Sequence, residues 1–434
     1  MSEPLEIALI GCGTVGGGVA KLLLEQRERL AARAGRGLHL RRVVVRDAAK
    51  VRDVALPDGV LTTRLQEVLE DPAIAIAVEV AGGIGWARPA VLDLLAAGKH
   101  VVTANKALLA LHGAEVFTVA HRHERTVAFE ASVGGGIPIV SALAQGLAAN
   151  QVVSIQGILN GTCNFILTGM SEQGRSYAES LAEAQKLGFA EADPTMDVDG
   201  TDTAQKLAIL ARLAFGVSVP LTAIGRRGIA DIQQADIHYA HQLGYTIKLV
   251  AEAWLHQQQL ALHVSPVLFR HQAPLAQVRG PYNAIQVIGD AVGDTLYYGR
   301  GAGQMPTASA VVADLIDLAV GRAQQTFASL RLWEDHPDAP ALRPSNTVRS
   351  RFYLRTMVED RPGVLAEIAR VLAQHEVSIA SVIQPEALED HEGDTVPEII
   401  MTHTVATGHF RAAQEEIDRL SCVTAPSVFY PVAD

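Results

Sequence analysis

Five carboxylates and one lysine fall within the sixteen residues from Glu191 to Lys206, in a stretch broken by proline and glycine that runs directly into an apolar pattern. Ala204, Leu207, Ala208, Leu210, Ala211 and Leu213 recur at helical spacing, and Asp199, Thr201 or Asp202 could cap the start of that helix. Asp202 and Lys206 then share a face. With the acid four residues ahead of the base, a carboxylate can hold an ammonium in place and keep it charged. The plain alternative is a capped surface helix with one ion pair. The density of acids favours an active site.

Positioning such a group requires a scaffold. At 434 residues the chain is too long for one ordinary core, so two or three domains are expected. A hydrophobic content of 49% with 19% charged residues fits a packed globular protein and argues against disorder. The net charge of -11 argues against nucleic acid or an anionic membrane as a general partner. Cys12, Cys163 and Cys422 are odd in number and far apart, against a disulfide framework or a zinc site. No basic leader precedes the first strand pattern and no apolar run is long enough to span a membrane, so a cytoplasmic location is expected.

The N-terminal segment has the order strand, glycine turn, helix: Leu5 to Ile10, then Gly11-Cys-Gly13-Thr14-Val15-Gly16, then a helical pattern to about Arg33. In that context the three glycines serve a tight turn, close approach to a pyrophosphate, and close packing of helix on strand. His39 to Val45, Ile74 to Val80, His100 to Thr103 and Thr126 to Phe129 read as further strands between helices, as in a parallel sheet. After the second strand come Arg46 and Asp47, with Lys50 nearby. An acid there suits the ribose hydroxyls of NAD and an arginine the 2′-phosphate of NADP; Arg46 comes first, which favours NADP with NAD possible. Val101-Val-Thr-Ala-Asn105-Lys106 ends a strand on the side that faces the ligand crevice, so Lys106 is either a site residue or the start of the next helix. Three glycines after Glu130 mark either backbone near a ligand or a hinge. Beyond Pro138, Asn160-Gly-Thr162-Cys-Asn164 opens a helix whose free N–H groups and Thr162 hydroxyl suit a carboxylate. Tyr298 to Ser309 forms another glycine turn opening an apolar helix, expected to pack back on the dinucleotide domain.

Taken together and in this order, Gly11-Cys-Gly-Thr-Val-Gly16, Thr103-Ala-Asn-Lys106, Asn160-Gly-Thr-Cys-Asn164, Glu191-Ala-Asp-Pro194, Asp199 to Lys206 and Gly301 to Ser309 resemble the homoserine dehydrogenase family over roughly the first 330 residues. The resemblance implies NAD(P)-dependent interconversion of L-aspartate 4-semialdehyde and L-homoserine, on the route to threonine, methionine and isoleucine, by a dimer formed through the second domain. It implies that Lys206 is the proton donor, Asp202 its partner near the reacting oxygen and Glu191 the ligand of the substrate's ammonium, with Thr162 also a substrate contact. Lys106 corresponds to a lysine beside nicotinamide and substrate, and Gly188 and Gly303 to cofactor-contacting backbone. Glu130, Val133, Gly135 and Ile137 match a loop whose carbonyls hold a sodium ion in relatives. Some relatives carry a second acid where this chain has Met196, which leaves no paired acid at that point.

The last hundred residues read separately. Pro337, Pro340 and Pro344 lie in a polar stretch expected to be a linker, and the order βαββαβ follows it, with strands at Arg351 to Val358, Val377 to Ile383, Glu398 to Val405 and Ser427 to Val432 and helices at Pro362 to His375 and Phe410 to Leu420. With Glu359-Asp-Arg-Pro-Gly-Val-Leu365 at the first turn, this part resembles an ACT domain. Asp360 and Gly363 fall on the family's effector loop, and the analogy suggests L-threonine as a feedback effector. The expected class is therefore α/β: a Rossmann-type parallel-sheet domain over 1–138 with about 300–330, an α+β catalytic and dimerisation domain over 139–300, a linker over 331–350, and a ferredoxin-like domain over 351–434.

Overall fold

The computed structural model describes residues 3–336, 338–385 and 395–433; Pro337 of the expected linker lies outside them. The chain forms two compact units, Met1–Gly161 with Asp202–Ile224 and Tyr282–Pro340, and Thr162–Thr201 with Gly225–Pro281 and Ala341–Asp434.

In the first unit, β1 (Leu5–Ile10), β2 (Leu38–Val44), β3 (Leu61–Thr62), β4 (Ile74–Glu79), β5 (His100–Thr103) and β6 (Val127–Ala128) form one sheet in the order β3-β2-β1-β4-β5-β6. Every pairing is parallel, with Ile7 opposite both Leu40 and Ile76. The order reverses beside β1, which is where an open sheet of this kind leaves a crevice at the strands' C-terminal ends. The strands are apolar on both faces because helices cover both. Helix Gln304–Ala319 closes one of them, sending Ala308, Val311 and Leu315 into the core with Ile7, Leu9, Val19 and Val78, as its apolar pattern led one to expect. The first helix is shorter than expected. It ends at Glu25, and after a break at Gln26 a separate helix, Arg27–Ala34, turns Leu30 and Ala34 back to the same core. This unit also holds antiparallel strands, with Tyr282–Gly289 between Val152–Ile158 and Gly293–Arg300.

The second unit is built on the hairpin Tyr245–His256 and Gln259–Arg270. The last strand, Val423–Ala433, pairs with that hairpin at Leu268 and Phe269 and runs antiparallel to Arg349–Glu359. Thr395–Thr402 and Ile379–Ile383 follow, giving the order expected of a ferredoxin-like domain. Helices Val364–Gln374 and Thr407–Ile417 cover one face over Phe352, Leu354, Ile368, Ile400 and Phe410. Two sequence expectations change. The expected linker is partly paired, since Ala341–Leu342 adds in parallel to Gln259 and Leu260. The run Glu398 to Val405 divides into Thr395–Thr402 and the short strand Val405–Ala406, which pairs back on Arg349 and Ser350. Among the described residues no helix is long and apolar enough to cross a membrane.

Candidate active site

The lysine helix spans Thr201–Phe215. Of the three capping candidates, Asp199 does the work from outside the helix: its carboxylate accepts from the Thr201 N–H at 2.7 Å and the Thr201 hydroxyl at 2.9 Å, while Thr201 and Asp202 lie within the first turn. One turn on, Lys206 Nζ donates to Asp202 Oδ2 at 2.7 Å and to the Leu159 carbonyl at 2.6 Å. Asn160 Nδ2 donates to the same Asp202 oxygen at 2.9 Å. The other oxygen, Oδ1, lies 3.0 Å from Lys106 Nζ. One carboxylate thus stands between two ammoniums, leaving the cluster with a net positive charge. Burial pushes the Asp202 carboxyl up, but Lys206 and Lys106, with the bonds from Lys206 and Asn160, outweigh it and hold it at about 2. Two of the three Lys206 protons are engaged in these bonds.

The motif before Lys106 has a physical reading. Asn105 caps helix Lys106–Arg122 by accepting from the Leu108 N–H, and its amide donates to the Gly83 carbonyl. The Thr103 hydroxyl accepts from the Asn105 N–H and donates to Glu79, whose other oxygen accepts from the N–H groups of Ala81 and Gly82. Lys106 is therefore both a helix start and a member of the charged cluster. Asn160 joins the charged cluster and Glu79 braces the turns before Lys106, and sequence reasoning assigned neither. Asn160 stood in a recognised motif, whereas a single acid ending an apolar strand carries no signal of its own.

Other expected site residues belong to the second unit. Glu191 is exposed, and its carbonyl accepts from Gln185 Nε2. The Thr162 hydroxyl donates to the Phe189 carbonyl at 2.5 Å, so its proton holds the turn that follows helix Tyr177–Lys186. Gly188 supplies the positive φ of 75° in that turn. Asp193 receives the N–H and hydroxyl of Thr195, a loop-structuring role. At the C-terminal domain, Gly363 with φ 98° leads into helix Val364–Gln374, and exposed Asp360 accepts from Gln384 Nε2.

The glycine turn fits a dinucleotide. Gly11 has φ 96°, and a Cβ there would meet the Ala81 backbone at 2.9 Å; a Cβ on Gly16 would sit 2.1 Å from the Gly11 carbonyl. Gly13 differs, with nothing within 4 Å of its missing Cβ. It caps the helix opened by Thr14 and Val15 with no side-chain bond, so open space lies before that end's N–H groups, as a pyrophosphate requires. Gly303, with φ 124°, starts the helix that packs on this one. Arg46 is exposed, and Asp47 accepts from the Ala49 N–H at 2.8 Å. In the loop expected to hold sodium, the Glu130 carboxylate accepts from the N–H groups of Val140 and Ser141. The Ile137 carbonyl accepts from Ile139 and keeps a second lone pair; Val133 and Gly135 complete the carbonyl set. A Cβ on Gly135 would lie 2.4 Å from the Gly301 carbonyl, which fixes the loop's close approach. Among the described residues no group of histidine, cysteine, aspartate and glutamate could hold a metal.

Family comparisons meet this geometry. The model described as homoserine dehydrogenase matches residues 138–316, its NAD binding domain matches 11–130, and the ACT domain matches 352–422. A homoserine dehydrogenase of Neisseria gonorrhoeae is 41% identical over 427 residues, covering 98% of this chain and 97% of that protein. The chain belongs to the homoserine dehydrogenase family. The crystal structure of a homoserine dehydrogenase from Thiobacillus denitrificans superposes with a TM-score of 0.91 at 41% identity, over 99% of this chain and 98% of that one. A hyperthermophilic archaeal homoserine dehydrogenase in complex with NADPH matches with a TM-score of 0.61 at 27% identity, over 72% of this chain and 97% of that one. As a homoserine dehydrogenase the protein is an oxidoreductase, with a nicotinamide dinucleotide domain, a mixed-sheet catalytic domain and a C-terminal ACT domain.

Proposed function

We propose that the enzyme reversibly reduces L-aspartate 4-semialdehyde to L-homoserine for threonine, methionine and isoleucine synthesis in the cytoplasm, with Lys206 as proton donor. The observation that carries this reading is the Lys106–Asp202–Lys206 cluster. When bound, the nicotinamide gives or takes the hydride. Lys206 delivers a proton to the oxygen that becomes the alcohol, and in oxidation removes it. Asp202 orients Lys206, and the two lysines together stabilise negative charge developing on that oxygen. Glu191 is proposed to receive the substrate's ammonium, with Thr162 as a second substrate contact.

NADP is favoured over NAD, because Arg46 is exposed while the Asp47 carboxylate is engaged in its own turn. Gly11, Gly13, Thr14, Val15 and Gly16 would cradle the pyrophosphate, with Lys106, Gly188 and Gly303 as further contacts. Sodium bound by the carbonyls of Glu130, Val133, Gly135 and Ile137 is consistent with the lone pair that the Ile137 carbonyl keeps. A homodimer is supported by edge strand Gly293–Arg300, which leaves Leu296 and Tyr298 exposed. L-Threonine is the proposed effector at the turn of Asp360 and Gly363.

Initial rates with aspartate semialdehyde should be higher with NADPH than NADH, and homoserine oxidation should respond to pH differently from reduction, since one direction needs the lysine as base and the other as acid. A flat oxidative profile with chemistry limiting would remove Lys206 from the proton role. Threonine titration of the wild type and of Asp360→Ala tests the effector: equal inhibition of both, or none of either, rejects it.

A further inference from the structure

We propose that Arg227, a residue with no part in the glycine turn or the lysine cluster, is a positioning residue that ties the ACT sheet to the turn that starts the lysine helix.

Its guanidinium reaches the last strand, where Nη1 donates to the Phe429 carbonyl at 2.6 Å. The cationic carbon stands 5.4 Å from the Phe429 ring centre and 4.9 Å from that of Tyr430, within range of cation–π attraction. The backbone at the same residue is fixed from another side, its N–H donating to the Val264 carbonyl at 2.9 Å. The next residues press on the turn before the lysine helix. A Cβ on Gly228 would lie 2.0 Å from the Val198 carbonyl and 2.7 Å from Asp199 Cα, so only glycine allows this approach. The Ile229 N–H donates to that Val198 carbonyl at 2.9 Å. On the other flank, Arg226 stands 4.0 Å from Asp199 Oδ2, the oxygen that receives the Thr201 hydroxyl.

From Phe429 through Arg227 to Val198 and Asp199 the contacts are continuous, and Asp199 caps the helix in which Asp202 is the second residue. A second tie holds the far end of the segment. Arg355 of the ACT sheet forks onto Asp236 with bonds of 2.7 and 3.1 Å and also reaches Gln233 at 2.9 Å. The sheet thus grips both ends of the stretch that braces the cap. Asp202 must keep its oxygens within 3.0 Å of two ammoniums, a tolerance that a displacement of about 1 Å exceeds, and misplacement on that scale can cost on the order of 100-fold in rate. The ACT domain therefore contributes to turnover before any effector binds.

This rests on the proposed role of Lys206, so the experiment compares full-length wild type, Lys206→Ala, Arg227→Gln and Arg227→Lys in homoserine oxidation with NADP varied up to saturation. Arg227→Gln should lower kcat by about tenfold or more, with KM for NADP within about twofold of wild type and an unchanged far-ultraviolet dichroism spectrum. Arg227→Lys keeps a cation over the two rings and one donor for Phe429, and should recover part of the loss. Wild-type kcat in Arg227→Gln, or a loss confined to KM, overturns the role of Arg227. If Arg227→Gln does not fold, Arg227→Lys decides: a reduced kcat at unchanged KM supports the role, and wild-type kcat overturns it. An inactive wild type, or a fully active Lys206→Ala, instead overturns the functional reading on which it rests.

Discussion

Asp202 on the lysine helix and Glu398 in the ACT sheet are both carboxyls removed from water, 5% and 0% exposed, yet they are driven in opposite directions. Asp202 lies between Lys106 and Lys206 and is held at about 2. Glu398 lies on the helix-covered side of its strand between Val396 and Ile400, with no bond to either oxygen among the described residues, and burial pushes it up to about 6. Its cross-strand neighbour Thr356 has an equally unpaired hydroxyl. Burial sets the cost of ionisation in both places, and the partners decide its sign. In one region the result is a fixed anion held between two lysine ammoniums; in the other it is a standing cost that pH can modulate.

The largest test of this contrast removes the base that Asp202 serves. Lys206→Ala should reduce turnover by on the order of 10²- to 10⁴-fold while leaving KM for NADP close to wild type, read from homoserine oxidation rates; loss of cofactor binding instead would place Lys206 elsewhere. Next, Asp202→Asn leaves two ammoniums without their anion and should lower stability by about 3 kcal/mol at pH 7 in urea unfolding. Because the folded carboxyl is held below its ordinary value of 3.8, its contribution is complete above that value and is lost as pH falls through about 2, so the difference should shrink over that window. Glu398→Gln should act the other way. A raised folded value means that the cost grows as pH rises from 4.5 through about 6, so the variant should be more stable than wild type by about 2 kcal/mol at pH 7.5 and no different at pH 4. A loss of stability at pH 7.5 would mean that Glu398 has a stabilising partner, and the contrast would fail. The smallest effect concerns Thr356→Val. In a double-mutant cycle with Glu398→Gln its coupling should stay within about 0.5 kcal/mol, because no bond joins the two residues, and a larger coupling would reveal one.

Much of the dinucleotide domain was legible because its signals are local. A glycine turn between a strand and a helix has one workable backbone solution, and an acid four residues ahead of a lysine on a helix meets it regardless of the rest of the chain. The break at Gln26 was not legible, since nothing in that run of helix formers opposes continuation and only the core decides where Leu30 must point. The linker was read from its prolines, but whether Ala341 and Leu342 pair depends on a strand edge some eighty residues earlier in the chain.

The sequence by itself determined most strands of the parallel sheet, the βαββαβ order of the C-terminal domain, the glycine turn, the Asp202–Lys206 pair and the family. Those follow from residues a few positions apart, where spacing alone fixes geometry. Only the tertiary structure decided that Lys106, Asn160 and the Leu159 carbonyl converge on that pair, that Glu79 braces two loops at once, that Arg227 links the ACT sheet to the helix cap, and that Glu398 is left unpaired. Each of those depends on groups tens to hundreds of residues apart along the chain, and the ionisation of a buried group is set by its neighbours in space, which spacing along the chain does not encode.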